Sequence, residues 1–182
     1  MKFINIKTAF IIGLLLTITL ISITGCTNRQ ECTEDLAVTL YWDTGTISPE
    51  YYYYYQITAG PGLQGIFEYQ PGYGEPPAPD IWIEDFEVSQ NQIDYLCQLI
   101  IKNNLLKNEW EKSEIAEGGS FSSITIKSNS KKYKIPGNVE LKKEDIEKID
   151  EVSDYLRNIV PAYIWEEMEY RQKQFEESAI NE

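Results

Sequence analysis

From Leu36 to Asp43 apolar and polar residues alternate, with Leu36, Val38, Leu40 and Trp42 on one side, the pattern of a half-buried strand. A Gly/Ser/Pro turn over 44–49 leads to a second strand over 51–58. Gly60-Pro61-Gly62 then turns the chain into a third, over 64–70. A Pro/Gly-rich loop, 71–79, precedes a fourth over 80–88. There Ile81, Trp82, Ile83, Phe86 and Val88 change parity near Glu84-Asp85, which predicts either a bulge or a reversed face.

Ser89-Gln90-Asn91-Gln92 is a capping-box pattern, with a Ser oxygen for the N3 amide and a Gln that reaches back. Ile93, Leu96, Cys97, Ile100 and Ile101 follow at helical spacing, and Asn103-Asn104 ends the helix. Residues 105–117 carry no clear period. Gly118-Gly119 breaks the chain before a hairpin over 121–127 and 132–135, turned at 128–131. Beyond Pro136-Gly137 the stripe Ile146, Ile149, Val152, Leu156, Ile159 predicts a helix. Pro161 starts another, marked by Ile164, Trp165, Met168 and Phe175. The predicted fold is α+β: an antiparallel sheet of five or six strands with helices on one face, in the order β-β-β-β-α-β-β-α-α. No repeat or linker divides 36–182, so it reads as a single α+β domain.

The N-terminal region follows a different pattern. Lys2 and Lys7 flank a short basic start, an apolar run covers Ala9 to Ile23, and small residues close it. This is the layout of a secretory signal, and the run is shorter than the roughly 20 residues a membrane span needs. Its end, Ile23-Thr24-Gly25-Cys26, resembles the lipobox of bacterial lipoproteins. That resemblance implies a signal peptide over 1–25, acylation of the Cys26 thiol and cleavage before it. Residues 26–35 would then be a lipidated tether. The expected address is the extracytoplasmic side of a cell membrane or outer membrane, held through the acyl chains on Cys26. The predicted element order is also similar to that of small bacterial lipoproteins, which implies no activity.

Charge narrows the function classes. The chain has 29 Asp and Glu against 16 Lys and Arg, a net charge of −13, and no His. Excess acid argues against nucleic acid as a partner, since phosphates need basic neutralisation. The absence of His removes imidazole bases and His-ligated zinc. Removal of 1–25 takes away two lysines and no acid. On this averaged charge the mature chain gains nothing from anionic headgroups, and the acyl chains carry the anchoring.

Two other cysteines remain. An extracytoplasmic compartment permits a Cys32–Cys97 disulfide. Yet Cys32 falls in the polar tether and Cys97 on an apolar helical face, so a free, buried Cys97 is the expectation and the bridge its alternative.

The chemistry-bearing patterns are few. In Tyr51-Tyr52-Tyr53-Tyr54-Tyr55 alternate residues face opposite ways. Tyr51, Tyr53 and Tyr55 continue into Ile57 and are expected to face the helices. Tyr52 and Tyr54 continue into Gln56 and Thr58 on a wetter face shared with Tyr41, which Tyr69, Tyr73 and Trp82 would join if parity allowed. Tyr41, Tyr52 and Tyr54 thus form a candidate aromatic face for cell-wall glycan or an envelope protein. The alternative is cross-strand pairing that only stabilises the sheet.

No catalytic residue, cofactor or metal site is expected. Asp43, Glu50, Glu84 and Asp85 near strand ends have no diagnostic spacing for a carboxylate pair. Ser128-Asn129-Ser130-Lys131 fits S-x-x-K in letters but falls in a predicted hairpin turn, where the helical face that chemistry requires is missing. The chain therefore reads as a non-catalytic binding or envelope-interaction module. A small cell-wall-directed hydrolase, or an acidic immunity- or inhibitor-type protein docking a basic envelope partner, are the alternatives.

Overall fold

The computed structural model describes residues 32–73, 80–113 and 119–180. The signal segment, Cys26 and the first part of the tether lie outside the described residues, as do most of the 71–79 loop and the end of 105–117.

Six strands form one antiparallel sheet: β1 (Ala37–Asp43), β2 (Tyr53–Gly60), β3 (Gln64–Pro71), β4 (Trp82–Glu87), β5 (Phe121–Ser128) and β6 (Lys131–Ile135). Their spatial order is β4-β3-β2-β1-β5-β6. Helix α1 (Gln90–Lys102) lies between β4 and β5 in the chain, and α2 (Lys143–Ile159) and α3 (Ala162–Ile180) follow β6 after a 3-10 turn at Asn138–Glu140. The α+β class and the element order are those expected from the sequence.

Alternation explains why the helices cover one face. Val38, Leu40, Tyr55, Ile57, Phe67, Tyr69, Phe86, Ile124 and Ile126 are buried on one side of the sheet. They meet Leu96, Leu99 and Ile100 of α1, Ile149, Val152 and Leu156 of α2, and Ile164 and Met168 of α3 in one core. Registry with β3 runs unbroken through β4, from Gln64↔Glu87 to Tyr69↔Trp82, so no bulge lies there. Phe86 and Val88 are buried while Ile81 and Ile83 are exposed. The parity conflict thus resolves as two isoleucines on the open face. Phe86 lies directly opposite Gly65 and its ring fills the space a Cβ would take there, so a larger residue would have to displace the ring.

The capping box at Ser89 is present, the Ser89 oxygen accepting from the Gln92 amide and Gln92 Oε1 from the Ser89 amide. Asn103 closes α1, and Asn104 adopts φ 52°, a left-handed conformation asparagine tolerates. The β5–β6 hairpin turns on Asn129 and Ser130, both at positive φ (53° and 57°), as a two-residue hairpin of this twist requires.

Three expectations need correction. Cys32 and Cys97 are bridged, with Cα atoms 5.8 Å apart, inside the range a disulfide spans. The free-thiol expectation fails because residues 32–35 are part of the domain rather than a loose tether. A turn from Thr33 to Leu36 and contacts to the β5–β6 turn carry Cys32 onto α1. Tyr51 sits in the turn before β2, 47% exposed, and does not face the helices. Tyr69 and Trp82 belong to the covered face, so only Tyr73 joins the outer tyrosines.

Candidate functional site

The tyrosine run divides by parity. On the covered side Tyr55 stacks on Trp42 (5.1 Å between centroids) and on Phe67 (5.8 Å), and Trp165 of α3 meets it edge-on at 5.2 Å. Arg157 Nε donates to the Tyr55 hydroxyl at 2.8 Å. Burial raises the Tyr55 pKa; the Arg157 hydrogen bond works against that shift. Two residues along β3, the fully buried Tyr69 donates to Gln172 Oε1 at 2.6 Å. These rings belong to the core.

On the open side the candidate residues come together. Tyr41 and Tyr54 are diagonal neighbours across β1–β2, and their rings stack at 5.6 Å. Phe121, the diagonal neighbour of Tyr41 on β5, meets it edge-on at 6.1 Å. Tyr52 stacks on Tyr73 at 4.0 Å, and its hydroxyl lies near enough to Tyr41 to act on that phenol. The five aromatic residues thus make one rim where β1 ends and β2 begins. All three predicted site tyrosines belong to it.

The rim's polar atoms are engaged. Tyr54 donates to Gln70 Oε1 (3.1 Å) and Tyr73 to the Ile47 carbonyl (2.6 Å). Asp43 Oδ1 accepts from the Gly45 amide at 2.7 Å, which turns the chain out of β1. Partial burial raises the pKa of Tyr41, with the neighbouring Tyr52 hydroxyl and Asp43 adding to it. Burial also raises Tyr54, with Glu68 adding to it. These phenols stay neutral at physiological pH. They offer ring edges and hydroxyl rims to a ligand, with no activated nucleophile.

A second concavity, about 430 Å³, lies between the β3–β4 edge and α3. Tyr69, Trp82, Tyr170 and Phe175 contribute its aromatic lining and Arg171 caps the Trp82 ring at 4.7 Å. Sequence reasoning missed it because its lining comes from segments about a hundred residues apart, with no motif in either.

The S-x-x-K letters do not build a catalytic pair. Ser128 and Lys131 face each other across the hairpin, and Ser128 is buried with its hydroxyl against Thr33 at 3.1 Å. Among the described residues no group of three or more His, Cys, Asp or Glu is arranged to hold a metal ion. Cys26 lies outside the described residues. The fold and rim define a domain with one helix-covered face and one aromatic-rimmed open face. No protein-family model matches the chain, and no curated protein matches it.

Proposed function

We propose that this chain is a lipid-anchored extracytoplasmic protein that recognises cell-wall glycan, without catalysis, across the aromatic rim of Tyr41, Tyr52 and Tyr54. The observation that carries the location is the Cys32–Cys97 bridge, six residues beyond the lipobox cysteine. Disulfides persist in oxidising compartments and are rare in the cytosol. A bridge at that point is what export and anchoring through Cys26 would permit. Support for recognition comes from five aromatic residues gathered at one end of the sheet's open face, where no described helix packs.

Two measurements test the reading. The mass of the full chain purified from bacterial membranes should correspond to a mature protein beginning at an acylated Cys26. A Cys26→Ala chain should keep its first 25 residues. A wild-type chain without acyl groups rejects the anchor. In sedimentation with isolated cell wall, wild type should be captured and a Tyr52→Ser/Tyr54→Ser chain released. Equal capture of both removes the rim from the function.

A further inference from the structure

The net charge of −13 is unevenly distributed. Hairpin β5–β6 carries Lys127, Lys131, Lys132 and Lys134, all exposed. Among the described residues none of the four forms an ion pair, whereas Lys102, Lys107, Lys112, Lys142 and Lys148 each have a carboxylate partner. Lys127 and Lys132 stand directly opposite each other, a like-charge pairing that works against the hairpin. Lys134, opposite Thr125, shares their open face, and Lys131 adjoins the turn. Among the described residues, Glu34 and Asp35 are the carboxylates beside the β5–β6 turn, and Asp94 of α1 lies on the far side of Cys32. Asp35 is turned onto the hairpin, accepting from the Asn129 and Ser130 amides at 2.8 Å each. The Thr33 hydroxyl and these amides hold its pKa below the usual carboxylate value.

The same corner is where the chain enters the domain. Cys32 is bonded to α1, and the Thr33 oxygen accepts from the Asn129 amide at 2.6 Å. Cys26 is six residues earlier, a reach of at most about 20 Å. An acyl group on Cys26 would keep this corner within that distance of the headgroups. The aromatic rim lies toward the other end of the strands: Tyr41 and Phe121 stand four and six residues along from the Ala37–Lys127 pair, roughly 13–20 Å away.

We propose that the β5–β6 hairpin is a docking surface for anionic phospholipid headgroups that seats the domain on the bilayer beside its lipid anchor. The proposal rests on the anchored reading above. A lipid chain beside a basic patch is the two-signal arrangement that holds a protein stably at a membrane. Lysines attract an anionic surface only within about a Debye length, roughly 8–10 Å, so the anchor must first bring them there. The acidic remainder of the domain is repelled by the same surface. Attraction at the hairpin and repulsion elsewhere both turn the aromatic rim away from the bilayer.

The full chain is reconstituted into vesicles of neutral phosphatidylcholine alone or mixed with anionic phosphatidylglycerol. A membrane-impermeant amine reagent is added, and modification is read lysine by lysine by mass spectrometry. Labelling of Lys127, Lys131, Lys132 and Lys134 should fall about threefold or more on the anionic vesicles and recover in high salt. Lys143 and Lys173 should label equally on both. Equal labelling of the hairpin lysines on the two vesicle types overturns the proposal, as does a loss spread evenly over all lysines. Intact mass of the same sample reports acylation separately, so a missing anchor and a non-docking hairpin give different results.

Discussion

Tyr54 and Tyr55 are chain neighbours with opposite environments. Tyr55 is enclosed by Trp42, Phe67 and Trp165 and bonded to Arg157 from α2. Tyr54 lies on the open face, stacked on Tyr41 and bonded to Gln70 of the adjacent strand. The sheet uses one residue type for two purposes, and parity alone selects which. On the covered face an aromatic ring ties sheet to helix. On the open face it ties strand to strand.

The largest effect should come from breaking the covered face. Phe67→Ala removes the ring that Tyr55, Trp82 and Trp165 pack on, and should lower unfolding free energy in denaturant by about 3–5 kcal/mol. Cys97→Ser releases α1 from Cys32 and should cost about 2–4 kcal/mol by the same measurement, with reduction of wild type giving a comparable loss. Tyr55→Phe keeps the ring but removes the hydroxyl that accepts from Arg157, and should cost about 1.5–3 kcal/mol. On the open face, Tyr54→Ser should cost only about 0.2–1 kcal/mol. Tyr54→Ser as damaging as Phe67→Ala would erase the distinction between faces.

Alkaline titration separates the two faces as well. The pKa values of Tyr55 and Tyr69 are raised chiefly by burial, so the folded state favours their neutral form. Their contribution is fully present below the unfolded value near 10. It is lost as pH climbs above that point, because the unfolded chain ionises first. Stability should therefore fall from about pH 10 upward, with much of the phenolate absorbance appearing together with unfolding. Full phenolate absorbance in a still-folded protein would show that these rings are open to solvent.

Much of this division was legible in the chain. Alternation in β1 and β2, the capping box at Ser89 and the apolar stripe of α2 each depend on residues within a few positions of one another. So does the separation of Tyr52 and Tyr54 from Tyr53 and Tyr55. Tyr51 was misplaced because the turn extends two residues further than composition indicates. Tyr69 and Trp82 were left open because their faces depend on registry with neighbouring strands. The groove beside α3 was missed for the same reason, since Tyr69, Pro71, Asp80 and Trp82 meet residues 167–178 only after the helix has packed.

Local periodicity and turn chemistry therefore determined the α+β class, the order of elements and which tyrosines share a face, because these follow from nearest neighbours along the chain. The Cys32–Cys97 bridge was decided by the way residues 32–35 turn back onto the β5–β6 hairpin, a contact across some ninety-five residues. Concentration of unpaired lysine at that corner is likewise invisible in a net charge. Averages along a chain carry no information about which charges the fold gathers and which it pairs.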